Sequence, residues 1–170
     1  MDDYVKLAKK SLECYIREKR ILSAKEEMLP KELTDYSAGA FVSLKENGNL
    51  RGCIGTIEPV EKNLAEEIIH NAVSAGIYDP RFPEVTAGEL DFLEYSVDVL
   101  TKPEDIVSAK ELDPRKYGVI VANGHRRGLL LPDLEGVDTP EEQIRISMQK
   151  AGIMPGEPVA LQRFEAVRHY

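Results

Sequence analysis

The chain has 170 residues, 42% apolar and 31% charged, a balance that excludes collagenous and disordered chains and fits one globular domain. With 22 Lys and Arg against 30 Asp and Glu, the net charge of −8 disfavours nucleic-acid binding unless basic residues gather locally. Two cysteines, Cys14 and Cys53, supply neither a disulfide framework nor a four-ligand zinc site, and they read as cytosolic thiols. The acidic start and the charges that follow leave no stretch resembling a signal peptide or membrane span, so a cytoplasmic location is expected.

Tyr4, Ala8, Leu12, Tyr15 and Ile16 recur at helical spacing, with Asp2 or Asp3 as the N-cap, and predict a first amphipathic helix. Residues 23–37 lack a sustained period, contain Pro30 and read as a connection with at most a short helical turn. Gly39–Leu44 and Leu50–Ile57 flank Asn47-Gly48, a strong hairpin signal because both turn residues tolerate positive φ. After Pro59, the positions Val60, Leu64, Ile68, Ala72 and Ala75 predict a core-facing helix that stops at Gly76.

Leu93, Tyr95, Val97 and Val99 alternate with polar residues and predict a half-buried antiparallel strand. Thr86 and Ser108 each precede a Glu by three residues, the signature of a short capped turn. Tyr117–Ala122 and Arg126–Leu131 flank Asn123-Gly124 and predict a second hairpin. Thr139-Pro140-Glu141-Glu142 opens a last helix, Gly152 closes it, and Val159–Val167 reads as a final strand. The class is α+β, antiparallel hairpins and sheet packed with helices, with no Gly-rich phosphate-binding turn. Asn-Gly and Arg-Gly recur at identical spacing in residues 47–52 and 123–128, which repeated hairpin chemistry explains more cheaply than a duplication.

Two segments could carry chemistry. Period-two alternation puts Arg51, Cys53 and Gly55 on one strand face, where a guanidinium near the sulfur would favour a thiolate, and Gly52 and Gly55 would admit a ligand or another backbone. The alternative is a small buried Cys53 with glycines serving packing. Asp79-Pro80-Arg81-Phe82-Pro83 is a stiff loop whose Arg81 could orient an anion with Asp79 as base, or whose Asp and Arg could simply pair with each other. Arg126 and Arg127 add positive charge in the second hairpin. His70, His125 and His169 fall at no metal or triad spacing, so no intrinsic metal or cofactor is expected.

Taken in order, Gly39-Ala-Phe-Val, Leu50-Arg-Gly-Cys-Ile-Gly, Asp79-Pro-Arg-Phe, Gly128-Leu-Leu-Leu-Pro132 and Glu142-Gln143 followed by Lys150-Ala-Gly resemble the AMMECR domain family. Its prokaryotic members are called AmmeMemoRadiSam system protein A, and the resemblance spans nearly all of residues 1–170. It implies one α+β domain with a larger and a smaller lobe, their boundary not assignable from sequence, and a cleft near the Arg-Gly-Cys-Ile-Gly segment. It implies a pathway shared with a MEMO-type protein and a radical S-adenosylmethionine enzyme, but no settled activity. The motif positions carried over are Arg51, Gly52, Cys53, Gly55, Asp79, Arg81 and Phe82, with Gly128 and Pro132.

Three functions compete. In the first, Arg51, Gly52, Gly55, Asp79, Arg81, Phe82 and Arg127 bind a ligand, such as an anionic small molecule, or a partner protein. In the second, Cys53 is the nucleophile or thiolate of an enzyme acting on such an anion. In the third, disfavoured by the net charge, Arg51, Arg81, Arg126 and Arg127 converge on nucleic acid.

Overall fold

A computed structural model describes residues 1–170. In chain order the elements are α1 (Asp3–Glu18), α2 (Lys31–Thr34), β1 (Ala40–Glu46), β2 (Asn49–Gly55), α3 (Leu64–Ile77), β3 (Leu93–Leu100), β4 (Glu104–Ile106), β5 (Gly118–Asn123), β6 (Arg126–Leu130), α4 (Pro140–Ala151), β7 (Ala160–Phe164) and β8 (Ala166–His169). Short 3-10 turns at Ala24–Glu26, Ala87–Phe92 and Ala109–Glu111 join them. The chain forms two compact units, Met1–Leu100 with Val167–Tyr170, and Thr101–Ala166. Each is built on a four-stranded sheet, in the orders β2-β1-β3-β8 and β4-β7-β5-β6.

In the first unit, Asp2 caps α1 by accepting the Val5 N–H at 3.1 Å, and Val5, Ala8 and Leu12 turn the helix's apolar stripe inward. Ser11 Oγ donates to the Ile69 carbonyl at 2.8 Å, tying α1 to α3. Ala40, Val42 and Leu44 alternate into the core with their partners Val97 and Tyr95, so one face of the sheet is buried. The opposite face carries Phe41, Ser43, Cys53, Ser96 and Asp98, with Ser43 paired to both Cys53 and Ser96. In the second unit, Thr139 Oγ1 accepts the Glu142 N–H at 3.2 Å, Pro140 opens α4, and Gly152 ends it at φ 71°. The core beneath is Val119, Val121, Leu130 and Ile153 with Leu112 and Ile106.

The predicted hairpins, capped turns and helices are all present, and the differences have identifiable causes. The helix after Pro59 starts at Leu64, because Asn63 caps it by accepting the Glu66 N–H at 2.9 Å, which leaves Val60 outside and 74% exposed. Gly76 does not stop that helix. It lies within α3, where a Cβ would stand 2.5 Å from Leu12 Cδ1, so its smallness admits α1. The final strand is two strands, β7 and β8, which join different sheets across Glu165. No helix is long and apolar enough to cross a membrane.

Candidate functional site

β2 is an edge strand, and the loop after α3 closes part of its free edge with side chains instead of a further strand. Asp79 Oδ2 accepts the Cys53 N–H at 3.0 Å, and Arg81 Nη2 donates to the Cys53 carbonyl at 3.3 Å. The two side chains are locked together: Arg81 Nε and Nη2 bond the Asp79 carboxylate at 3.0 and 2.8 Å, and the Arg81 N–H adds a bond at 3.1 Å. These donors hold the Asp79 carboxyl far below its ordinary value of 3.8, at about 2; the Arg81 side chain contributes most, with the Cys53 and Arg81 N–H groups behind it. The internal Asp–Arg pair is therefore what this loop forms, and a carboxylate with so many donors is a poor base near neutrality.

Arg51 is likewise committed. Its Nε and Nη2 grip Glu89 at 2.8 and 3.2 Å, Nη1 donates to the Pro83 carbonyl at 2.9 Å, and the side chain is only 11% exposed. Glu89 in turn accepts the Thr86 N–H at 2.7 Å in a capping box. The expected Arg51–thiolate partnership is thus replaced by a fork on a carboxylate that lies 38 positions away.

Cys53 Sγ receives Ser43 Oγ at 3.1 Å. Burial pushes the thiol above its ordinary value, Asp98 and Asp79 add to the rise, and the opposing pull of Ser43 and Arg81 does not offset them. The neutral thiol is the resting form. The spaces beside the flanking glycines are filled from within: a Cβ at Gly52 would lie 2.1 Å from the Ala75 carbonyl of α3, and one at Gly55 would lie 2.3 Å from the Phe41 ring. Phe82 lies against the Arg81 guanidinium, 5.5 Å from centroid to Cζ, and Arg81 keeps 56% of its side chain exposed.

The fold thus gathers Arg51, Gly52, Cys53, Gly55, Asp79, Arg81 and Phe82 in the first unit. Arg127 belongs to the second unit, exposed on β6, where its neighbour Arg126 pairs with Glu157 at 2.6 Å. His125 is exposed in the β5–β6 turn, and no three His, Cys, Asp or Glu side chains gather as metal ligands. An open groove of about 660 Å³ runs along α4, with Ile144, Met148, Ile153 and Met154 in its wall, and none of the ligand-binding or catalytic candidates read from the sequence lines it.

Sequence reasoning missed several residues that shape this region. Glu67, on α3 and fully buried, accepts the Val60 and Glu61 N–H groups at 3.1 and 2.8 Å and the Thr56 hydroxyl, pinning the loop after β2. Asp98, buried on the same sheet face as Cys53, takes Arg168 of β8 at 2.8 Å. The alternation placed Asp98 with the polar residues on the face opposite the core, so it signalled neither the burial of this carboxylate nor its partner.

Comparison with known proteins places the chain. Protein CA_C1420 of Clostridium acetobutylicum is 51% identical over 168 residues, which are 99% of this chain but 36% of that protein, so this chain spans about a third of the relative's length. A Thermotoga maritima protein is also 51% identical, over 98% of this chain and 96% of its own length. The crystal structure of uncharacterized protein PH0010 from Pyrococcus horikoshii matches with a TM-score of 0.89 and 32% identity, covering 97% of this chain and 88% of that one. The AMMECR1 family profile matches residues 5–169, and the chain belongs to the AMMECR1 family.

Proposed function

We propose that this protein is a binding component of an assembly and not a thiol-dependent enzyme, and that it works with a MEMO-type protein and a radical S-adenosylmethionine enzyme. One observation carries the reading: the groups a reaction would need are already bonded to one another. Asp79 is saturated by Arg81 and two N–H groups, Arg51 is held by Glu89, and the Cys53 thiol is pushed up by burial. What faces solvent is Arg81 against Phe82 on a loop stiffened by Pro80 and Pro83, and arginine and phenylalanine are residue types enriched at protein interfaces. The Clostridium relative adds support, since a domain alike in sequence there forms about a third of a longer chain.

The competing reading, with Cys53 as a nucleophile toward an anion, is favoured by the Ser43 bond and the Arg81 charge beside the thiol. Nucleic-acid binding draws less support, because Arg51, Arg81 and Arg126 each hold a carboxylate and leave Arg127 as the remaining cation of the four. Calorimetric titration of the intact chain with each of the two proposed partners tests the first reading. Phe82→Ala is expected to weaken binding at least tenfold while Cys53→Ala leaves it unchanged. Absence of association, or a reconstituted pathway that stops with Cys53→Ala while binding persists, would replace it with the enzyme reading.

A further inference from the structure

Arg126, in the second unit, clamps the turn that follows α4. Its Nη1 donates to the Gly152 carbonyl at 3.0 Å, and Nη1 and Nη2 hold Glu157 at 3.1 and 2.6 Å. Glu157 in turn accepts the Met154 N–H at 2.6 Å, and the Ile153 N–H donates to the Met148 carbonyl at 2.9 Å. The turn is thus fixed at both ends, and it holds Met154 out in water with 66% of the residue exposed. An apolar side chain presented on a rigid turn is preorganised to be covered.

Beside this knob lies a hole. The groove of about 660 Å³ runs between α4 and the turn, with Met154 on its rim. Its wall has a fixed shape, because Ile153 belongs to the core of the second unit and Ile144 and Met148 pack against that core. The mouth carries Glu141 and Arg145, both exposed. Their spacing of four suits a pair within one helix. Even so, neither side chain forms an ion pair or a hydrogen bond with any group of the chain.

One face of the second unit therefore presents an apolar knob, an apolar hole, one unpaired anion and one unpaired cation. Every feature has its complement on the same face. A twofold axis brings such a face onto itself, so that one residue meets a second while the second meets the first. An apolar ligand with a single charge would leave the opposite charge at the mouth unmatched, whereas a second copy of the chain matches both. We infer that this face is a self-association surface, where two copies dock about a twofold axis. Met154 of each copy enters the groove of the other, and Glu141 of each meets Arg145 of the other. The role of Arg126 is to hold the knob in place. The surface lies apart from Arg81 and Phe82, so two copies joined here keep both of those loops.

Sedimentation velocity of the 170-residue chain from about 1 μM to about 1 mM tests this. The wild type is expected to pass from monomer to dimer over that range. Met154→Glu, Glu141→Arg and Arg145→Glu are each expected to weaken association about tenfold or more. All three side chains are exposed, so the fold itself is spared. An equimolar mixture of Glu141→Arg and Arg145→Glu is expected to associate again, because each reversed charge then faces its opposite on the other copy. A chain that stays monomeric throughout overturns the inference, as does a dimer that the three variants leave intact or a mixture that fails to associate. A monomer whose groove takes up the dye anilinonaphthalene sulfonate or one of the two proposed partner proteins, with uptake lost in Met154→Glu, would likewise overturn it and give the face to that occupant.

Discussion

Replacing Asp79 by Asn probes the latch on the free edge of β2. The carboxylate is 2% exposed and carries bonds from the Cys53 N–H, the Arg81 N–H and the Arg81 guanidinium, which bring its pKa from 3.8 to about 2. At about 1.4 kcal/mol per pH unit, that depression corresponds to about 2 kcal/mol of folded-state stability at pH 7. Arg81 is more than half exposed, so solvent screening makes about 1 to 2 kcal/mol the working figure. Because the folded pKa is the lower one, the contribution is fully present above pH 3.8 and disappears as pH falls through about 2. Urea unfolding of wild type and Asp79→Asn at pH 7 is expected to differ by this amount with unchanged slope, and the gap is expected to close toward pH 2. An equal gap at both pH values, or none at pH 7, would show that the carboxylate's charge does not hold the loop.

Gly52→Ala drives a Cβ onto the Ala75 carbonyl, a backbone atom that cannot swing aside, and is expected to cost about 1 to 3 kcal/mol as overpacking. Gly88→Ala, with nothing within 4 Å of the added carbon, is the neutral control, and equal unfolding midpoints for the two would refute the close approach. Glu67→Gln turns an amide NH2 toward donors that now meet a carboxylate oxygen, and is expected to cost about 1 to 3 kcal/mol and to speed amide exchange at Val60 and Glu61. Unchanged exchange at those two amides would remove the carboxylate from its role as the loop's pin.

Local chemistry made some of this structure readable in the sequence and distance hid the rest. The hairpin turn at Asn47-Gly48 was legible because both residues adopt positive φ, 52° and 77°, which few other pairs accept. Thr139-Pro140 and Gly152 marked the ends of α4 because caps act within one turn. β4 was not legible: it is three residues long, two of them acidic, and it forms only because β7 offers a partner more than fifty positions later. The Asp79–Arg81 pair could be read from its spacing, but whether it served a substrate or the fold depended on Cys53, whose N–H and carbonyl lie on a sheet edge. Arg51 and Cys53 were correctly placed on one strand face, while the partner that takes Arg51 away from the sulfur, Glu89, lies in a turn with its own local capping signature. Gly76 read as a helix stop because glycine is usually placed by its backbone; here the Leu12 side chain placed it.

The central claim, that Cys53 rests as a half-buried neutral thiol in a binding protein, is tested most directly by its alkylation rate as a function of pH. Mass-spectrometric labelling of the native 170-residue chain with iodoacetamide reads Cys53 and Cys14 separately. Slow labelling of Cys53 is predicted, with a midpoint above the ordinary thiol value of about 8.5, because burial outweighs Ser43 and Arg81. Rapid labelling with a midpoint below about 7, the behaviour of an activated nucleophile, would contradict the account and return Cys53 to the centre of a reaction.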